Sequence, residues 1–240
     1  MNIIVCVTRV PMTQDVDLKI DSSGKQVDNS RLAYIINEWD SYAAEEAVLL
    51  KEKFGGTVTV VTIGPKQDEE VLRKVLAMGA DRAVRVDPGD SPLDGAVVSK
   101  ILAEIAKQNE CDLVFTGVQS DDINAGVVGS MLAGHLDVAH AAVVNGIEME
   151  ADGPAKVNVE LEGGIDEVFK LQLPAVLTIQ AGINEPRYVS IMAVRKAAKK
   201  EMKVMALSDL GLSDDDLTPH TVIEEMFLPP ETGHAEMIEG

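Results

Sequence analysis

Cysteines, aromatic residues and cationic residues are all scarce in this chain of 240 residues. The two cysteines, Cys6 and Cys111, each lie in an apolar run where a strand is expected, so we expect no structural disulfide. Asp and Glu number 40 against 21 Lys and Arg, for a net charge of -19. Because phosphate backbones are neutralised by Lys and Arg, this balance argues against nucleic-acid binding.

Long apolar runs are also lacking. No stretch approaches the roughly 20 residues of a bilayer-spanning helix, and the apolar start at residues 3–7 lacks the basic and cleavage regions of a signal peptide. We therefore expect a protein that does not span a membrane and that resides in the cytoplasm or a similar compartment. With 46% apolar residues the chain can bury a real core, which excludes disorder as a whole.

Strand and helix patterns alternate through the first half of the chain. Continuous β-branched runs predict strands buried on both faces, and a 3.6-residue period predicts the helices between them. The strand runs cover residues 2–7, 58–63, 83–86 and 113–115, and the helical patterns cover 41–54, 68–78 and 93–108. The expected fold class is therefore α/β, with a doubly wound, mostly parallel sheet.

The second half predicts strands without helices between them, which indicates an antiparallel extension of the sheet. These runs cover residues 143–149, 156–162, 167–173 and 176–179. A small hairpin is also expected from residues 16–20 and 26–28 around a Ser-Ser-Gly turn. The predicted divisions are a nucleotide-binding domain over 1–182 that includes the extension from about 141, a segment over 183–206, and an acidic C-terminal arm over 207–240.

Charge changes sign abruptly late in the chain. Five cations fall within residues 195–203, whereas residues 204–240 hold nine acidic residues and no Lys or Arg. Charge runs are most often solvated faces. The abrupt change of sign here indicates a boundary in organisation.

No catalytic set is recognisable. The four histidines lack metal-ligand spacing, and neither a G-x-G-x-x-G fingerprint nor a P-loop motif occurs. A P-loop enzyme and an ordinary Rossmann dehydrogenase are therefore not expected.

A polar loop between a buried strand and an apolar helix, within residues 116–133, is the strongest functional signal. In open α/β sheets, ligands bind at the carboxyl ends of strands, and the free N–H groups of a helix start attract anions. Small residues at Ala125, Gly126 and Gly129 would admit a phosphate, and the polar side chains before them would bind a sugar or base. An ordinary loop with Asx turns is the alternative.

The only tryptophan, Trp39, lies in a second loop beside Asp40, a candidate N-cap. Its ring either packs in the core or covers a nucleotide at the strand ends. The pattern alone leaves both interpretations open.

Several segments, taken together and in order, resemble the beta subunit of electron transfer flavoprotein over nearly the whole chain. They are residues 6–11, 44–47, 76–82, 117–129, 161–164, 173–176 and 184–188. The resemblance implies an adenine-nucleotide α-hydrolase-like sheet, an arm that packs on a partner, and a heterodimer with an alpha subunit. Such a heterodimer carries electrons from flavin dehydrogenases to a downstream acceptor and has no substrate chemistry of its own.

The resemblance also implies two nucleotides. FAD is held mainly by the alpha subunit, and the beta subunit holds AMP in simple carriers or a second FAD in bifurcating ones; we expect AMP here. The implied site comprises Cys6, Asn37, Glu38, Trp39, Asp40, Ile63, Gly117, Gln119, Ser120, Asp121, Asp122, Asn124, Ala125, Gly126, Val127 and Val128. The phosphate would rest on backbone N–H groups of residues 125–128. The valines at 127 and 128 depart from the family pattern by removing a side-chain hydroxyl, as does Thr8 by replacing a lysine.

A docking segment for dehydrogenases follows from the same resemblance. Ile191 falls at the position of the family's exposed aliphatic anchor, just before a basic helix that is expected over residues 195–203. The implied docking residues are Ile191, Met192, Arg195, Lys196 and Lys199. Burial of Ile191 and Met192 in the core is the alternative, and Tyr188 is expected to approach the FAD of the alpha subunit.

Two other functions fit the fold class. A nucleotide sensor of the universal-stress type would explain the loop after Gly117 but not the segments at 161–173 and 184–188. A nucleotide α-hydrolase would need a Ser/Gly cluster after the first strand, and residues 8–11 are not one.

Overall fold

The computed structural model describes residues 1–14, 16–150 and 153–230, which form eleven strands and five α-helices. The strands are β1 (Asn2–Cys6), β2 (Arg9–Pro11), β3 (Tyr34–Ile36), β4 (Thr57–Ile63), β5 (Arg82–Asp87), β6 (Leu113–Gly117), β7 (Ala139–Glu148), β8 (Ala155–Leu161), β9 (Ile165–Leu171), β10 (Ala175–Ile179) and β11 (Met202–Ala206). The helices are α1 (Glu38–Phe54), α2 (Glu69–Met78), α3 (Gly95–Gln108), α4 (Val128–Leu136) and α5 (Ile191–Ala197). Short 3-10 helices cover Lys66–Asp68 and Leu207–Leu210.

Nine of these strands form one mixed sheet in the order β11-β5-β4-β1-β6-β10-β7-β8-β9, and β2 pairs antiparallel with β3 in a separate ribbon. The strands from β11 to β7 run parallel to their neighbours, and β7, β8 and β9 are antiparallel. The predicted α/β class, with its mostly parallel sheet and antiparallel extension, is confirmed.

Helices cover both faces of the parallel part, as the β-branched strand runs predict. Alternate residues of β1 point to opposite sides, so Ile3 packs in the core formed with α1 and α2, whereas Ile4 packs in the core formed with α3 and α4. Local sequence fixes the helix ends. Asp94 caps α3 by accepting from the Val97 N–H at 2.9 Å, and α1 ends at Gly55, where φ is +75°.

Strand β10 does not lie in the antiparallel extension that its sequence predicts. Residues 176–179 were expected in the antiparallel extension, yet β10 lies between β6 and β7 and is parallel to both. All five of its residues are buried. Two-sided burial explains its continuous apolar run, which lacks the alternation of a half-exposed antiparallel strand.

The prediction of a basic helix over residues 195–203 is also wrong. The helix α5 ends at Ala197, and Lys203 lies in β11, which pairs parallel with β5 at the edge of the sheet. Between them, the Lys200 ammonium donates to the carbonyls of Leu76 and Ala80 at 3.0 and 2.6 Å. This contact holds the junction between α5 and β11 against the end of α2. The predicted divisions at residues 182 and 206 remain predictions.

The predicted hairpin over residues 16–20 and 26–28 is reduced to a single bridge between Ile20 and Val27. Most side chains of these segments are exposed, so no apolar face holds longer strands together. Cys6 and Cys111 carry free thiols, as expected. None of the described helices is both long and apolar enough to cross a bilayer. Residues 231–240 of the predicted arm lie outside the described residues.

Candidate nucleotide site and docking segment

The carboxyl ends of β1 and β6 and the start of α4 lie along one edge of the sheet. Strand β1 is paired in parallel with both β4 and β6, so Cys6, Ile63 and Gly117 all fall at this edge. Cys6 and Gly117 are buried, and Ile63 is half-buried against the core that includes Cys6. The loop over 118–127 leads from β6 into α4 and is largely exposed.

Asp40 joins two of these strand ends. Its buried carboxylate accepts hydrogen bonds from the backbone N–H of Thr8 at 2.7 Å and of Gly117 at 3.0 Å. Glycine is required at 117, because a Cβ there would lie 2.5 Å from Asp40 Oδ1 and 2.6 Å from the Trp39 Cβ. The carboxylate therefore holds the turn after β1 against the end of β6.

Burial has the largest effect on the pKa values of Asp40 and Cys6 at this edge. It raises the pKa of Asp40 to about 7, although the hydrogen bonds from Thr8, Asn37 and Gly117 act in the opposite direction. Burial, followed by the nearby Asp40, also raises the pKa of the Cys6 thiol. Cys6 is therefore a neutral wall residue of the site and is unsuited to nucleophilic chemistry.

Asn37 fixes the loop after β6. Its buried amide donates to the Gln119 carbonyl at 2.8 Å and accepts from the Asp121 N–H at 3.1 Å. The side chains of Asn37 and Asp40 thus form hydrogen bonds with the protein's own backbone. Both shape the loop and strand ends around the candidate site, and their contact with a nucleotide remains a prediction.

Trp39 is half-buried and donates from its indole N–H to Gln180 Oε1 at 3.0 Å, which links the start of α1 to the end of β10. Its neighbour Glu38 is exposed. Gly117 lies against the Trp39 Cβ, so the tryptophan borders the site and is not part of the deep core.

The start of α4 forms an open backbone cradle. Within the described residues, the N–H groups of 125–130 make no hydrogen bond, and Asn124 and Gly126 adopt positive φ values of 55° and 62°. Gly129 packs against Thr116 and Thr178, where a side chain would collide. The remaining predicted residues, Gln119, Ser120, Asp121, Asp122, Ala125, Val127 and Val128, line this loop and are half-buried or exposed.

An anionic group fits this cradle. Unpaired N–H groups at a helix start bind a phosphate through hydrogen bonds and the helix dipole. Residues 117–138 contain no Lys or Arg, whereas Asp121 and Asp122 lie on the loop. The cradle therefore offers backbone donors to an anion and no cationic side chain.

Comparison with known proteins decides the family. The model of the electron transfer flavoprotein domain matches residues 25–210. The chain is 41% identical to the electron transfer flavoprotein subunit beta of Methylophilus methylotrophus, over 100% of this chain and 93% of that protein. It is 36% identical to the subunit beta of Bacillus subtilis, over 100% and 92% of the two chains, and 35% identical to that of Homo sapiens, over 96% and 90%. This chain belongs to the electron transfer flavoprotein beta-subunit family.

The docking segment implied for this beta subunit is exposed. Ile191 and Met192 are 73% and 80% accessible, which rules out their burial in the core, and Tyr188 is 91% accessible. Arg195, Lys196 and Lys199 are exposed as well. The helix α5 buries only Ala197. A groove of about 480 Å³ lies beside this segment, between β3, α2 and residues 186–194.

Two of the segments that carry the family resemblance, residues 44–47 and 184–188, contact each other in the structure. Glu45 and Glu46 of α1 lie against Arg187 and Asn184, which lie about 140 positions later in the chain. Two adjacent glutamates inside an otherwise apolar helical stretch are the signal, because buried carboxylates need partners. The sequence does not reveal which residues those partners are.

Proposed function

We propose that the chain is the beta subunit of a heterodimeric electron transfer flavoprotein that carries electrons from flavin dehydrogenases, of the acyl-CoA dehydrogenase type, to a downstream acceptor. Family membership over the whole chain is the observation that carries this proposal. In this proposal the chain binds a nucleotide and positions its partner proteins, and it contributes no substrate chemistry. The free thiols of Cys6 and Cys111 fit the cytoplasm as its compartment.

An alpha subunit is the proposed permanent partner. The hairpin of β8 and β9 exposes Leu161, Ile165 and Val168, and the arm exposes Val222 and Phe227. Exposed apolar side chains in such number are typical of protein interfaces. Co-expression with the alpha subunit should give a one-to-one complex with flavin absorbance, and a monodisperse monomer with no affinity for that subunit would contradict the proposal.

The beta subunit's own nucleotide is proposed to be AMP, with a second FAD in the same site as the alternative. The phosphate would be held by the backbone N–H groups of residues 125–128, with Asn37 and Asp40 holding the surrounding loop. AMP supplies no redox chemistry, and FAD held mainly by the alpha subunit would carry the electrons. AMP is preferred because bifurcation is the more specialised trait, and because Thr8, Val127 and Val128 depart from the family pattern.

Extraction of the bound nucleotides from the purified heterodimer tests this choice. We expect about one FAD and one AMP per heterodimer. Two FAD molecules would show a bifurcating carrier and would contradict the AMP proposal while leaving the electron-carrier proposal in place.

A further inference from the structure

Side-chain contacts hold the part of the docking segment that precedes α5. Residues 183–189 follow β10 and precede α5, and within the described part of the chain they make no backbone-to-backbone hydrogen bond. A segment without such bonds is normally mobile. Here the side chains of Asn184 and Arg187 hydrogen-bond it to α1, and Ile183 and Val189 pack against the core.

Arg187 makes the densest of these ties. Its Nε lies 3.0 and 2.9 Å from the two oxygens of Glu45, and its Nη2 lies 2.9 Å from Glu45 Oε1. Its Nη1 and Nη2 also donate to Glu52 at 2.7 and 3.1 Å. The backbone N–H of Arg187 donates to the same Glu45 carboxylate at 3.1 Å. Bidentate pairs of this kind fix direction as well as distance.

Asn184 supplies the second tie. Its Nδ2 donates to Glu46 Oε2 at 3.0 Å and to the Tyr42 carbonyl at 3.1 Å. Glu45 and Glu46 are both buried, so each carboxylate depends on these partners. The guanidinium of Arg187 also donates to the Met78 carbonyl at 3.2 Å, which adds the end of α2 to the anchored body.

The anchored segment leads directly into exposed apolar side chains. Tyr188 follows Arg187. Ile191 and Met192 begin α5, which Ser190 caps by accepting from the Ala193 N–H at 3.2 Å. Exposed apolar anchors bind a partner best when their direction is fixed beforehand, because binding then costs less ordering entropy.

We propose that Glu45, Glu52 and Arg187 form a positioning clamp that sets the direction in which Ile191 and Met192 meet a flavin dehydrogenase. The three are positioning residues, since they act on the docking side chains through the segment that carries them. The inference rests on the proposed electron-carrier function. It adds a determinant of dehydrogenase affinity that lies on α1, outside the docking segment.

Arg187→Lys in the heterodimer is the test, because lysine keeps the charge and loses the fork of donors. The rate of flavin reduction by an acyl-CoA dehydrogenase is measured against heterodimer concentration. We expect KM for the heterodimer to rise roughly tenfold and kcat to change less than twofold. Deuterium exchange of residues 183–194 should increase, while FAD and AMP contents stay unchanged.

Lys100→Gln is the matched control. Lys100 lies on α3 and pairs with Asp216 at 3.2 Å, so its loss removes an ion pair that has no contact with the clamp or the docking segment. We expect lower thermal stability and an unchanged KM. An equal rise in KM for both variants would reduce the clamp to general stability and overturn the proposal, as would an unchanged KM in Arg187→Lys.

The deuterium-exchange measurement separates this inference from the function on which it rests. If the wild-type heterodimer accepts no electrons from the dehydrogenase, the proposed function fails. Unchanged exchange at residues 183–194 in Arg187→Lys would overturn the clamp whatever the dehydrogenase does.

Discussion

At the residue scale, the carboxylate of Asp40 accepts from two backbone N–H groups, those of Thr8 and Gly117, that belong to different strand ends. Burial disfavours its ionised form, and these hydrogen bonds favour it. The raised pKa shows that burial is the stronger of the two effects. An ionised Asp40 therefore weakens the fold while it holds the site in shape.

Asp40→Asn should remove a pH dependence of stability. The pKa of Asp40 rises from 3.8 to about 7 on folding, so the native state holds the proton more tightly. Stability from this group is full below pH 4 and is lost as the pH rises towards 7, by at most about 1.4 kcal/mol per pH unit. Urea denaturation of both proteins across this range measures it. A difference between them that does not vary with pH would contradict the assignment.

The location of the candidate site could be predicted from the sequence, and the roles of its side chains could not. The strand, polar loop and small residues before α4 mark the edge where a phosphate fits. Asn37 and Asp40 bond to residues about 80 positions away, and that pairing arises only in the folded chain. Their use as supports of the loop is therefore invisible in the sequence.

At the element scale, local patterns predict each central strand and most helices, because β-branched runs and a 3.6-residue period reflect local burial. The place of β10 between β6 and β7 depends on pairings distant in sequence, which no local pattern contains. The Lys-rich stretch favours a helix locally. Pairing of β11 with β5 overrides that preference after Ala197.

Lys200→Gln should destabilise the junction between α2 and β11. The ammonium group donates to two carbonyls at the end of α2, and its loss leaves them without this cationic partner. We expect a loss of about 1 kcal/mol in the free energy of unfolding, measured by urea denaturation. The exposed neighbour Lys199 is the control, and Lys199→Gln should change stability by less than about 0.5 kcal/mol. Equal losses would contradict the capping role.

At the scale of the whole molecule, the net charge is -19, whereas Arg195, Lys196 and Lys199 form a basic region beside Ile191. Opposite charges steer encounter and set its salt dependence more than they add to affinity. A carrier that must release its partner quickly gains from such an arrangement. We therefore expect a dehydrogenase surface of acidic character opposite this region.

Ile191→Ala should lower the second-order rate of reduction by a dehydrogenase roughly tenfold, because a truncated apolar anchor loses buried contact at an interface centre. AMP and FAD contents should not change, since the side chain is exposed on α5 and is not part of the cradle at the start of α4. Leu49→Ala, an exposed position on α1, is the control and should leave the rate unchanged. The second-order rate at which a dehydrogenase reduces the wild-type protein should fall as salt is added, because salt screens the charges that steer encounter. An unaltered rate in Ile191→Ala would remove this residue from the docking surface.

The tie between Arg187 and Glu45 spans 142 positions of sequence. Exchange of docking segments between two carriers, as in a chimaera built to change dehydrogenase preference, would move Arg187 and leave Glu45 and Glu52 behind. A recipient whose first helix lacks these glutamates would accept the new segment without its anchor. The exchangeable module is therefore discontinuous, and it consists of residues 183–194 together with the face of α1 that holds them.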